Sequence, residues 1–192
     1  MSLSVTTPAA VEPITTAEAK EWLRVDTGDT SQDVIIALLI KGVRNKFESH
    51  LRRSFITRTY SWEAESDDMS YGLATLPRPP IQSVTSLTTY DDSSGSEVAT
   101  VTSTADYQLV EGSYVAARND GWEVNRRDKA ATIVYVAGYG DAATDIPEDI
   151  KMAMLEMLAL RFERRGDEDR DAVTNREISI LESVDHYRII GY

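Results

Sequence analysis

The residues able to do chemistry are few, and each sits in a pattern that restricts it. Gly138-Tyr139-Gly140-Asp141-Ala142-Ala143 follows an apolar run and matches the spacing G-x-G-x-x-A. In that pattern, glycines bring a pyrophosphate onto a helix N-terminus. The chemistry needs the helix to begin inside the glycine loop, yet Thr144, Asp145 and Pro147 delay it here. No strand–helix–strand unit with an acid about twenty residues further on follows. The segment therefore reads as a strand-to-helix turn. Asp91, Ser93, Gly95 and Glu97 resemble a calcium loop at first sight. An EF-hand needs flanking helices and a glutamate at its last position. These flanks have strand composition, so a hairpin loop is expected. His50 and His186 are the only histidines, and neither lies beside a nucleophile and an orienting group in sequence. The carboxylates form no spaced pair distinct from a solvated face. No catalytic, cofactor-binding or metal-ligating residue is assigned.

Composition narrows the partners. The net charge is −12, which repels phosphate and anionic lipid and opposes sequence-independent nucleic-acid binding. With no cysteine, disulfides, thiolate metal sites and thiol nucleophiles are excluded. No apolar stretch reaches the roughly 18 residues of a membrane span. The start, Met1 to Val11, has no basic segment followed by an apolar one, so it is expected to be a mobile arm and not a signal peptide.

The elements follow from periodicity. Thr15-Thr16-Ala17-Glu18 has capping-box spacing and opens a short helix through Trp22 and Leu23. A second helix, capped by Ser31 or Thr30, is predicted to run to about Arg52, with Val34, Ile35, Leu38, Leu39, Val43, Phe47 and Leu51 on a wide apolar face. Ile36 and Ile40 widen that surface further. Two readings of them stand: a contact with a neighbouring copy, or cover by the β-rich segment that follows. Strands are predicted at 55–62, 81–90, 107–110, 113–117 and 132–137. Leu76-Pro77-Arg78-Pro79-Pro80 cannot lie inside a helix. A third helix is predicted after Pro147, with Ile150, Met154, Leu155, Leu158 and Phe162 on one face, ending at Gly166 and the charged run Asp167 to Asp171. A last helix is predicted over 176–187.

The order of these segments resembles tailed-phage head–tail connector proteins, also called adaptor or head-completion proteins, of siphophages and gene transfer agents. The likeness rests on Ile14 through Asp26, with its Ala19-Lys20 and Arg24-Val25-Asp26. It continues with Asp33 through Ile40 and Val43-Arg44-Asn45-Lys46-Phe47-Glu48. It also includes Leu76-Pro77 with Pro80-Ile81-Gln82-Ser83-Val84, then Val134 through Gly140 followed by Ile146-Pro147-Glu148-Asp149-Ile150-Lys151, and Leu160 through Arg165. Each piece is short, and their order and spacing carry the resemblance over most of residues 14–188. Members of the family often have a proline-hydrophobe before the last helix, where Thr174-Asn175 stands here.

The resemblance implies an α+β fold, a mainly helical core of about four helices with a β-rich insertion between the second and third. The expected divisions are an N-terminal arm at 1–13, helical parts at 14–55 and 139–187, an insertion at 56–138 and a tail at 188–192. It implies a structural virion protein with no enzymatic role and no cofactor. Such subunits form a ring, usually a dodecamer, in the virion neck. The ring's partners would be the portal protein on one side and a stopper or tail-terminator protein on the other. DNA would pass through the channel without sequence-specific contacts, which an acidic balance suits. In that setting Ile36, Ile40 and Arg44 are candidates for the ring interface. Tyr187, Arg188, Ile189, Ile190 and Tyr192 are candidates for contact with the portal or an adjoining subunit, because an apolar end can add to a sheet edge or enter a groove. The other reading of the tail is that it folds back on its own helices. The rival for the whole chain is a small β-rich binding module, or an enzyme accessory domain, unrelated to phage.

Overall fold

The computed structural model describes residues 2–91, 98–102, 104–110, 112–118, 122, 128–164 and 170–189. The chain divides into two compact units. One comprises residues 1–9 and 57–139, the other 10–56 and 140–192.

Among the described residues, the regular elements of the first unit are strands and a 3-10 turn at Ser66–Gly72. Its strands are β1 (Ser2–Thr7), β2 (Arg58–Ala64), β3 (Leu73–Thr75), β4 (Ile81–Asp91), β5 (Val98–Val101), β6 (Tyr107–Val110), β7 (Tyr114–Ala117) and β8 (Ala131–Ala137). They form a five-stranded sheet in the order β1-β2-β8-β4-β5 and a three-stranded sheet β3-β7-β6. Every pairing is antiparallel. Alternation explains the central strands. On β2, Tyr60, Trp62 and Ala64 point inward, and on β8, Ala131, Ile133, Tyr135 and Ala137 do. Tyr60 and Tyr135 stack with ring centroids 5.6 Å apart, and the Tyr135 hydroxyl donates to the Pro77 carbonyl at 2.7 Å. Burial pushes the Tyr135 phenol far above its ordinary value.

The second unit holds α1 (Thr16–Leu23), α2 (Asp33–Leu51), α3 (Glu148–Glu163) and α4 (Arg170–Glu182), with short 3-10 turns at Ala143–Asp145 and Asp185–Tyr187. The capping box at α1 forms as its sequence predicts. Glu18 N–H donates to Thr15 Oγ1 at 3.1 Å, and Thr15 N–H donates to Glu18 Oε2 at 2.7 Å. The loop from α1 to α2 is tied by buried Lys20, whose Nζ donates to the Asp29 carbonyl at 2.8 Å and pairs with Asp33. Ile36, Ile40, Val43, Phe47 and Leu51 of α2 are buried, as are Ile150, Met154, Met157 and Leu158 of α3. α1 and α3 both pack on α2 and on each other.

Three expectations are corrected. First, the fold is not a mainly helical core with a β-rich insertion between α2 and α3. The strands make two antiparallel sheets with a hydrophobic core of their own, and one strand of the larger sheet comes from the chain's start, ahead of α1. Second, residues 2–7, within the segment expected as an arm, pair with β2 from Ser2↔Glu63 to Thr7↔Thr59. The β-branched residues Val5, Thr6 and Thr7 suit an extended backbone. Ser4 and Thr6 also donate their hydroxyls to the carbonyls of Ser61 and Thr59. All six side chains are exposed, so apolar patterning carried no signal for this strand. Third, α4 begins at Arg170, well ahead of the predicted 176, and ends at Glu182. Its first turns lack apolar periodicity but carry Asp171, which suits a helix N-terminus. Partway along α4, Glu177 receives a two-pronged bond from Arg161 of α3 at 2.7 and 3.0 Å.

Candidate functional site

The glycine turn builds no anion cradle. Asp145 Oδ2 accepts the Ala142 N–H at 2.9 Å, and a Cβ at Gly140 would lie 2.1 Å from the same oxygen. The protein's own carboxylate thus fills the space and takes a backbone donor that a phosphate would need. Gly138, at φ 140°, serves the β unit, where its N–H donates to the Pro80 carbonyl at 2.9 Å. The tip of the proposed hairpin, 92–97, and residues 165–169 of the charged run 163–171 lie outside the described residues. Among the described residues no three His, Asp or Glu side chains converge as a metal site, and no helix is long and apolar enough to cross a membrane.

His50 and the C-terminal segment form one polar cluster. His50 Nε2 lies 2.6 Å from Asp185 Oδ1. Arg53 Nε donates to the Tyr187 carbonyl, and the Ile189 N–H donates to the Leu51 carbonyl at 3.1 Å. These bonds fasten residues 185–189 to the C-terminal end of α2. Of the five tail residues singled out from sequence, Tyr187 and Ile189 are half-buried, Arg188 is exposed, and Ile190 and Tyr192 lie outside the described residues. His186 is exposed and rests against Tyr187, ring centroids 4.2 Å apart.

Of the three residues expected at a ring interface, two are buried in the helical unit's own core and the third is half-buried and tied to it by ion pairs. Ile36 and Ile40 are 0% and 2% exposed. Arg44 is held by Glu12 at 2.7 Å and by Glu48 at 3.2 Å, and Glu48 also accepts the Phe55 N–H at 3.1 Å. The exposed apolar surface of α2 is a different stripe, Val34, Ile35 and Leu38. Val34 and Leu38 come two positions before Ile36 and Ile40, about 200° around the helix, so they face away from the core.

A second exposed surface was not foreseen. It is a cleft of about 500 Å³ between α1 and α3, lined by Ile14, Trp22, Met152 and Leu155, with Glu18, Glu21, Glu148 and Lys151 around it. Lys151 Nζ donates to Glu18 Oε1 at 3.4 Å and fastens α1 to α3. Trp22 and Met152 are each recognisable in sequence as apolar residues on helices. Only the packing of α1 on α3 shows that they line one groove.

Two apolar surfaces thus stand open on the helical unit, and among the described residues neither contains an assembled reactive centre. By sequence, no protein-family model and no curated protein matches the chain. By structure, it matches a chain of "Neck of empty GTA particle computed with C6 symmetry" with a TM-score of 0.73 and 20% identity. It matches a chain of "Virion of native gene transfer agent (GTA) particle" with a TM-score of 0.72 and 20% identity. It matches a chain of "Neck of native GTA particle computed with C12 symmetry" with a TM-score of 0.63 and 19% identity. Each match covers 100% of this chain and 97% of the other, so the chain shares the complete fold of these subunits, sheets and helices together.

Proposed function

We propose that this chain is a structural subunit of a virion neck, an adaptor that assembles as a ring between the portal and the stopper or tail proteins and extends the DNA channel. The observation that carries the reading is the end-to-end fold likeness to neck subunits, 100% of one chain on 97% of the other. Two of those necks were computed with sixfold and twelvefold symmetry, and twelve is the copy number proposed here. The work of such a subunit is recognition and closure of a channel. A net charge of −12 suits a conduit that must let phosphates slide past. On this reading residues 187–192 reach the portal or an adjoining adaptor. Their anchoring at Leu51 and Arg53 sets the point from which they leave α2.

The test is to image particles from cells producing a tagged chain. The tag is expected as a ring of density at the head–tail junction. Particles complete without the chain, or density elsewhere on the particle, would remove the reading. Truncation after His186 tests the portal contact separately. The subunit is expected to keep its helical content and to be lost from particles, and normal incorporation would overturn the tail's role.

A further inference from the structure

The helical unit exposes two apolar surfaces that complement each other. One is convex: the α2 stripe, where Val34 is 81% exposed and Leu38 69%, followed one turn on by the exposed cation Lys41. The other is concave: the α1–α3 cleft, floored by Trp22, Met152 and Leu155 and rimmed by Glu21 and Glu148. Among the described residues neither of these two glutamates pairs with a cation, whereas Lys151 is already engaged by Glu18. Because α1 and α3 pack on the inner face of α2, the stripe points away from the elements that form the cleft.

We infer that neighbouring copies join by docking the Val34–Leu38 stripe of one subunit into the α1–α3 cleft of the next, with Lys41 meeting the Glu21 and Glu148 rim. This rests on the ring reading above and names the surfaces that close it. The occupant is a second copy of this chain because both halves of the match, convex with a cation and concave with carboxylates, are on the same subunit. A ring requires two different patches that meet from copy to copy. Stripe-to-stripe pairing would stop at two copies and leave the cleft open. The docking also covers Trp22, Val34, Leu38 and Met152, which the isolated subunit leaves in water.

The chain lacks cysteine, so thiols can be placed at will. The test uses the full chain with Leu38→Cys and Met152→Cys together, treated with a short bis-maleimide. Head-to-tail docking predicts a ladder of covalent dimers, trimers and larger species. Either substitution alone should leave monomer. Val34→Asp with Leu38→Asp should weaken self-association by more than about tenfold, with an unchanged thermal transition, because both sites are exposed. Met152→Asp should do the same from the other side. A mixture of these two variants should form a heterodimer and nothing larger, since only one good interface remains. A missing ladder, dimers from Leu38→Cys alone, wild-type association of the aspartate variants, or a wild-type chain that stays monomeric up to its solubility limit would each overturn the inference. Rings that still form with aspartate at 34 and 38 remove this docking and leave the neck reading intact. A ladder from a chain absent from particle necks does the reverse.

Discussion

The two units of this chain use their large apolar side chains differently. In the β unit the largest are consumed internally, with Trp62, Leu87, Ile133 and Tyr135 at most 2% exposed, while the exposed ones, Leu3, Val5, Tyr71 and Leu73, sit on the edge strands β1 and β3 and the 3-10 turn. The helical unit also has a sealed core, around Ile36, Phe47, Ile150 and Met154, but it leaves Trp22, Val34, Ile35, Leu38, Met152 and Ile178 in contact with water. Leaving such side chains exposed forgoes about 1.5–3 kcal/mol each that burial would contribute. The difference teaches that the β unit keeps its exposed apolar residues to edge strands and a turn, whereas the helical unit gathers several of them on the faces of its helices. It also separates two properties of α2 that its sequence runs together, one stripe for the subunit and another for its surroundings.

The largest effect that probes this contrast is in the β unit. Trp62→Ala removes the bulkiest buried side chain from β2, beside the central strand of the five-stranded sheet, and should cost about 3–5 kcal/mol, measured by urea denaturation. A loss below about 1 kcal/mol would mean that this core is not closed on itself, and the contrast would fail.

Next comes a comparison within α2. Ile40→Ala should destabilise the subunit by about 2–5 kcal/mol. Leu38→Ala, two residues away on the opposite face, should change subunit stability by less than about 0.5 kcal/mol. Equal losses would erase the distinction between the two stripes. This pair also shows where sequence reading stopped. The helical period of residues 33–51 was plain. However, apolar residues at 34, 35, 36, 38, 39 and 40 surround the helix on nearly all sides, so periodicity could not say which side meets the core. The segment preceding α1 decides it: Glu12 holds Arg44, and Val11, Ile14 and Thr15 line a small cavity with Ala37 and Ile40.

The same limit explains the other differences. Strands β2, β4, β6, β7 and β8 were legible because they alternate or end in turn residues. Strand β1 was not, since it is held by backbone pairing and two hydroxyl bonds to backbone carbonyls and buries no side chain. α1 and α2 both end on left-handed arginines, Arg24 at φ 57° and Arg52 at φ 55°, where glycine or asparagine would have marked the stop. The cleft was illegible because it exists only where two helices far apart in sequence meet.

A third effect is local. Gly140→Ala would drive its Cβ into Asp145, so the turn leading to α3 must shift, at a cost of about 1–3 kcal/mol. Asp145→Ala removes the two nearest atoms, though its Cβ stays 2.6 Å from that position, and it leaves the Ala142 N–H without its acceptor. The double variant should therefore be less destabilised than the sum of the singles. Strict additivity in thermal unfolding would show that the two residues do not compete for the same volume, and the turn would again be open to a ligand.

The smallest effect is electrostatic and belongs to the helical unit alone. Partial burial pushes the Glu18 carboxyl up, but bonds from the Thr15 amide and hydroxyl and the Lys151 ammonium outweigh it, and the group titrates below its ordinary 4.5. A carboxylate with a lowered folded value binds its proton more readily in the unfolded chain. Its contribution is thus complete above about pH 4.5 and disappears as pH falls through the lower folded value. Glu18→Gln should therefore lower stability at neutral pH and flatten the loss of stability below pH 4.5, so that the two proteins converge in acid. The carboxylate is partly exposed and solvent weakens its pairing with Lys151, so the effect should also shrink with added salt. The β unit holds no part of this arrangement. A pH profile of unfolding that is identical for wild type and Glu18→Gln would show that α1 is held to α3 by its apolar contacts alone, and the floor of the cleft would then owe nothing to the ion pair at its edge.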